Sequence, residues 1–218
     1  MSQAVIFDMD GLMFDTERMW DRFWAPCCEK LGLPLPPPSF YAEGRGTSGD
    51  ALRRNIANYY PQIDPQTLLE EVWAYSAVQF RKGVPVKPGL PELLAELERR
   101  GVPRIVASSS PRDMILTNLD TTGTRRYFDD VVCGYDVSRS KPAPDIFLEA
   151  ARRLGVQPEH CVVLEDSFNG VRAGRAAGAQ TVMVPDMAQP TPEIAALCTH
   201  ICRDLFEVKD WLVETGAI

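Results

Sequence analysis

Asp8 and Asp10 stand two apart at the end of an apolar run, Val5-Ile6-Phe7, with Gly11 directly after them. Side chains alternate along a strand, so acids at i and i+2 fall on one side where the chain leaves a sheet. Two carboxylates that close repel until a cation neutralises them. Hard oxygen ligands select Mg²⁺, and beside that ion one carboxylate attacks phosphorus while the other handles a proton. Asp and Gly are also common turn formers, so the pair taken alone reads equally well as a solvated turn.

Two more groups follow apolar runs in the same way, and a third stands just before a helix. Ser108-Ser109-Ser110 follows the run at 103–107, Lys141 precedes a helical pattern, and Glu165-Asp166 follows the run at 161–164. In open α/β sheets ligands bind beyond the carboxyl ends of the strands, so these positions belong to one crevice. There Asp8 is the expected nucleophile and Asp10 the general acid and base. The Ser108 hydroxyl and the backbone N–H groups after it, from Ser109 onward, bind phosphoryl oxygens at a helix start. Lys141 supplies fixed positive charge as negative charge builds in the transition state, and Glu165 and Asp166 complete the metal site with Asp8 and Asp10. Each group has a plainer reading alone: a helix N-cap for the serines, a loop charge for Lys141, a helix-opening acid pair for Glu165-Asp166. Their occurrence together, in one order and at the junctions of successive strand and helix patterns, favours the site.

The elements that must position these residues show a βα rhythm. Apolar, β-branched runs recur at 3–7, 103–107, 130–133, 161–164 and 180–184, with helix-period patterns such as 90–100, 145–154 and 169–177 between the later ones. Such a pattern predicts an α/β fold, a Rossmann-like doubly wound parallel sheet. Residues 15–84 interrupt it with helical stretches at 17–31, 50–60 and 65–81, and with a stiff proline break at 34–38. A short strand and a helix finish the sheet at 191–218. The 218-residue chain is large enough for one core with one insertion.

The formal charge of −7 offers no broad positive footprint for nucleic acid or anionic lipid, and no run of about 18 apolar residues spans a membrane. A small molecule is the expected partner, and with no legible leader the cytoplasm the expected location. A monomer is expected, since no interface signature is legible. The six cysteines do not form a secreted disulfide framework and are expected as thiols; Cys198, His200 and Cys202 lack an evident fourth ligand for zinc.

The chain resembles the haloacid dehalogenase superfamily of aspartate-dependent phosphohydrolases, in its β-phosphoglucomutase-like branch, over nearly its whole length. Phe7-Asp8-Met9-Asp10-Gly11, Ala107-Ser108-Ser109-Ser110, Ser140-Lys141-Pro142-Ala143-Pro144-Asp145 and Leu164-Glu165-Asp166-Ser167 look like the four family motifs in order. The resemblance implies a Rossmann-like catalytic core of residues 1–14 and 85–218 and a small helical cap of residues 15–84 inserted after the first strand. It also implies Mg²⁺ and an aspartyl-phosphate intermediate. Asp8 is then the nucleophile, Asp10 the acid/base and backbone metal ligand, Ser108 and Lys141 phosphate ligands, and Asp166 a metal ligand. Glu165 binds the ion directly or through water.

One departure bears on the reaction. β-Phosphoglucomutases keep a cap histidine and a cap arginine where this chain has Trp20 and Gly49. A mutase must hold a second phosphate, and loss of that cation favours hydrolysis of small phosphorylated metabolites such as sugar phosphates. The alternative is a phosphosugar mutase in which Arg53 or Arg54 replaces the missing arginine. Arg45, in Glu43-Gly44-Arg45-Gly46-Thr47, is the cap residue expected to reach substrate, against a plain loop charge. A phospho-acceptor switch has no use for Asp10, and no Gly-x-Gly-x-x-Gly follows the first strand to support a dinucleotide oxidoreductase.

Overall fold

The computed structural model describes residues 4–44 and 49–218. In chain order these form β1 (Ala4–Phe7), α1 (Thr16–Lys30), α2 (Pro38–Gly44), α3 (Gly49–Tyr59), α4 (Pro65–Phe80), α5 (Leu90–Arg99), β2 (Arg104–Ser108), α6 (Arg112–Thr121) and β3 (Val131–Cys133). There follow α7 (Asp145–Leu154), β4 (Cys161–Glu165), α8 (Phe168–Ala176), β5 (Gln180–Met183), α9 (Pro192–Ala195), β6 (His200–Ile201) and α10 (Leu205–Glu214). They divide into two compact units, Met1–Asp15 with Gly83–Ile218, and Thr16–Lys82.

The first unit is built on a six-stranded parallel sheet of order β3-β2-β1-β4-β5-β6. Strand order reverses direction at β1, which makes the edge beyond β1 the topological switch point where such sheets bind ligands. All four residues of β1 and all five of β2 and of β4 are buried, as strands covered by helices on both faces require. Ala4 and Ile6 of β1, Ile105 and Ala107 of β2 and Val163 of β4 pack with Ile146, Phe147 and Ala150 of α7 and Ala173 of α8. The repeating two-residue period therefore assigns the next position of each row, Asp8 and Glu165, to the same side as α7. In α5, Leu90, Leu93, Leu94 and Leu97 form one buried stripe, as their spacing predicts. Outside the sheet, Asp15 N donates to Pro85 O at 2.9 Å and Lys87 N to Met13 O at 2.9 Å, so the segments leaving and re-entering this unit are paired.

The regular elements described in the second unit are all helices. Trp20 meets Phe23 and Phe80 edge to face at 5.5 and 5.4 Å, and Trp24 meets Phe40 at 4.9 Å. Both tryptophans thus pack this unit's own aromatic core. Helix α2 is an addition to the expected pattern: the proline run predicts only a stiff break, but Pro38 opens a helix, a position where its fixed φ is favourable and its missing N–H costs nothing. Among the described residues no helix is long and apolar enough to cross a membrane.

Candidate active site

The sheet register brings the expected residues to one edge. Phe7 of β1 aligns with Val106 of β2 and with Leu164 of β4, so Asp8, the end of β2 and Glu165 emerge side by side. Lys141, on the loop that enters α7 on that side, reaches all three. Its Nζ donates at 2.6 Å to Asp8 Oδ1, at 2.6 Å to Glu165 Oε1 and at 3.3 Å to the Ala107 carbonyl. The ammonium also lies 4.8 Å from the centre of the Phe147 ring on α7. The side chains of Lys141, Asp8 and Glu165 are only 7%, 8% and 1% exposed, so the cluster is removed from solvent screening.

Burial pushes the Asp8 carboxyl well above the usual carboxylate range. Lys141 opposes this, and the nearby charges of Glu165 and Asp10 add to it. Burial alone would lower the Lys141 ammonium, but the charges of Asp8 and Glu165 outweigh that and raise it. The site therefore holds a cation that stays charged against carboxylates in excess.

Glu165 is tied down at both oxygens. Oε1 accepts from Lys141, while Oε2 accepts from the N–H of Asp166 and of Ser167, both at 2.9 Å, and from the Ser167 hydroxyl at 3.0 Å. Ser167 in turn caps α8 by accepting from Gly170 N at 3.0 Å. A Cβ at Gly170 would run into the Glu165 carboxylate, so only glycine lets the first turn of α8 lie this close. At Gly11, φ is +83° and a Cβ would meet the Asp166 carboxylate; the turn after Asp10 closes onto that residue.

Asp10 points to the other motif. Its Oδ2 accepts from the Ser110 hydroxyl at 2.7 Å and the Ser108 hydroxyl at 3.0 Å, and the Ser110 N–H donates to Ser108 Oγ at 3.1 Å. Its Oδ1 is buried with no hydrogen-bond partner. Ser110, read from the sequence only as part of the serine run, is thus the closest partner of Asp10; its hydroxyl at i+2 from Ser108 was the available signal. Ser109 is exposed, and its backbone lies close to Gly134.

The donors fit a Mg²⁺ ion. Asp8, Glu165 and Asp166 offer carboxylate oxygens that lie within 4.8 Å of one another, the one such group among the described residues. Oxygen-only ligands are what Mg²⁺ takes, and a buried excess of carboxylate with an orphaned Asp10 oxygen beside it is what a dication offsets. The rival cluster does not assemble: the Cys198 thiol donates to the Ile194 carbonyl at 3.3 Å, and His200 stacks on Trp211 at 5.4 Å. Of the arginines considered for substrate, Arg53 pairs with Asp50 at 3.1 Å on an exposed helix, and Arg45 lies outside the described residues.

The arrangement has clear relatives. The chain is 33% identical over 184 residues to hexitol phosphatase B of Escherichia coli (strain K12), covering 84% of this chain and 83% of the relative. It is 37% identical over 219 residues to the "Probable pseudouridine-5'-phosphatase" of Drosophila melanogaster, covering 94% and 90%. Among solved structures, CbbY from Rhodobacter sphaeroides in complex with phosphate superimposes with a TM-score of 0.80 at 27% identity, covering 95% of this chain and 96% of that one. The family model described as haloacid dehalogenase-like hydrolase matches residues 3–178, and the chain belongs to that family.

Proposed function

We propose that this hydrolase is a Mg²⁺-dependent phosphatase that hydrolyses small phosphorylated metabolites, sugar phosphates foremost, through an aspartyl-phosphate on Asp8. The observation that carries the reading is the buried Lys141 ammonium 2.6 Å from the carboxylate that ends β1, with a second acid, Asp10, two residues on. The relatives named above add weight, since two carry phosphatase names and one holds phosphate.

In the first half-reaction an Asp8 carboxylate oxygen forms a bond to phosphorus as the bond to the ester oxygen breaks. Asp10 gives its proton to that oxygen, so an alcohol leaves. In the second, Asp10 takes a proton from water as the water oxygen bonds to phosphorus, and the Asp8–phosphorus bond breaks to release inorganic phosphate. Lys141 steadies the nucleophile and meets the charge that builds on the equatorial oxygens, with Ser108 and the N–H of Ser109 as further donors. Asp8, Asp166 and the Asp10 carbonyl, with Glu165 directly or through water, would hold Mg²⁺, which would supply charge neutralisation when bound. Residues 15–84 are read as the family's cap insertion, with Arg45 as its candidate substrate residue.

The test is phosphate release from a panel of hexose, hexitol and nucleoside phosphates with Mg²⁺, beside a coupled assay for glucose 6-phosphate from β-glucose 1-phosphate. Stoichiometric phosphate from at least one ester, absent in Asp8→Asn, is the expected result. Glucose 6-phosphate without net phosphate release would overturn hydrolysis, and Asp8→Asn with full activity would overturn the intermediate.

A further inference from the structure

We propose that Ser110 is the positioning residue for Asp10, holding its carboxyl through Oδ2 so that Oδ1 is the oxygen that exchanges the proton with the leaving group and with water. The inference rests on the phosphatase reading above and adds a division of labour between two neighbouring serines.

A serine hydroxyl has a single O–H to donate. In this structure Ser108 donates its proton to Asp10 at 3.0 Å while it accepts the N–H of Ser110. Ser108 cannot also donate to a phosphoryl oxygen in that state, so when it turns to the phosphate Asp10 loses one of its two hydroxyl donors. Ser110 keeps the other. Its bond to Asp10 Oδ2 is the shorter, at 2.7 Å, the length of a charge-assisted hydroxyl–carboxylate contact. Both serines bond the same oxygen, which fixes the plane of the carboxyl and leaves Oδ1 buried and without a protein partner. A buried oxygen with no partner is tolerated poorly unless something else completes it, and here the substrate's leaving-group oxygen does so. Ser110 itself needs no contact with substrate for this role.

The reading makes a claim about leaving groups that a purely structural role does not. An alkyl phosphate needs its departing oxygen protonated, whereas p-nitrophenyl phosphate leaves as a stable phenolate. Ser110→Ala is expected to lower the ratio of kcat/KM for the preferred alkyl phosphate to kcat/KM for p-nitrophenyl phosphate, which reports the step in which the leaving group departs, by about 10- to 100-fold, the penalty for a displaced acid group. Ser110→Thr, which keeps the hydroxyl, restores the ratio. Ser110→Ala in an Asp10→Asn background changes the ratio no further, since the partner is gone. Inhibition by inorganic phosphate, read in parallel, keeps its wild-type constant. An equal fall on both substrates with weakened phosphate inhibition would make Ser110 a phosphate ligand and overturn the inference, as would an unchanged ratio in a folded Ser110→Ala protein. If Asp10→Asn itself leaves alkyl phosphate turnover intact, the acid/base reading fails first, so the two failures are told apart.

Discussion

Replacing Lys141 with methionine keeps much of the side chain's length and removes its charge, which isolates what the ammonium does. Its partners decide the size of the effect. Because Lys141, Asp8 and Glu165 are 7%, 8% and 1% exposed, the relevant scale is that of a buried ion pair broken by loss of one partner, about 3–5 kcal/mol, and not the roughly 0–1 kcal/mol of a surface pair. At about 2–4 °C per kcal/mol for a chain of this length, thermal unfolding should begin some 6–20 °C lower. The loss must also depend on pH. With Lys141 gone, the remaining influences on Asp8 all raise it: burial first, then Glu165 and Asp10. A folded-state carboxyl raised above its unfolded value of 3.8 binds more protons than the unfolded chain, so its contribution falls as pH rises through the folded value. Lys141→Met should therefore fall further below wild type as pH rises above the usual carboxylate range, a trend read between pH 5 and pH 8. Differential scanning fluorimetry at the two pH values measures this, and phosphate release should drop by about 10²–10³, as for removal of one transition-state donor. A variant that melts with the wild type at pH 8, or that loses the same amount at both pH values, would refute the argument that Lys141 is the counter-charge of a buried acid pair.

Other consequences are as direct. Gly170→Ala lies in the first turn of α8, where the exchange ordinarily stabilises a helix by about 1 kcal/mol; because its Cβ meets the Glu165 carboxylate, the sign should reverse to a loss of about 1–3 kcal/mol with reduced phosphate release, and a stabilised, fully active variant would sink the close-approach argument. Arg153 pairs with Glu149 at 2.8 Å, Asp130 at 3.0 Å and Asp136 at 3.0 Å. The Arg152 and Arg153 guanidinium groups hold the Glu149 carboxyl down to about 2, so this stabilisation is present above the unfolded carboxylate pKa and fades as pH falls toward 2. Arg153→Met should thus cost roughly 1–2 kcal/mol in urea unfolding at pH 7 and much less at pH 2.5, and an equal loss at both would count against it. Treatment with EDTA should abolish phosphate release and added Mg²⁺ restore it, while recovery with NaCl alone would speak against a divalent ion.

The parts of this molecule that were legible in the sequence are those where local chemistry and tertiary demand agree. Val5-Ile6-Phe7 and Cys161 to Leu164 are apolar and β-branched because both faces of a parallel sheet are covered, and the strands appear where those runs lie. Asp8 and Glu165 were legible as neighbours because each closes such a run and strand register aligns them, and Lys141 because it stands just before the helix pattern at 145–154. What was not legible depends on side-chain direction in irregular backbone. No pattern says that Ser110 and not Ser109 turns to Asp10, since that is fixed by the turn after β2 and by the N–H of Ser110 bonding back to Ser108. Nor does one say that both Glu165 oxygens are engaged by Lys141 and by the N-terminus of α8. Helix α2 escaped for a simpler reason: a proline run reads as a break, yet its last member is also a favoured helix opener.

The charges of the site explain why its parts are needed together. Asp8, Asp10, Glu165 and Asp166 put four carboxylates at one sheet edge against one ammonium, and the incoming phosphate ester is itself an anion. At an effective dielectric of about 20, two like charges about 4 Å apart repel by roughly 4 kcal/mol, so a phosphoryl group beside Asp8 and its neighbours is opposed by far more than a few hydrogen bonds can offset. Lys141 cancels one carboxylate and is already shared between two, Asp8 and Glu165. The dication of the proposed function would offset the remaining excess of carboxylate. In the proposed reaction the serine hydroxyls and N–H groups after β2 would then orient the phosphate, while Asp10, held on one oxygen by Ser108 and Ser110, would keep its other oxygen for the proton. The elevated Asp8 carboxyl reflects burial first, which Lys141 opposes and the charges of Glu165 and Asp10 reinforce.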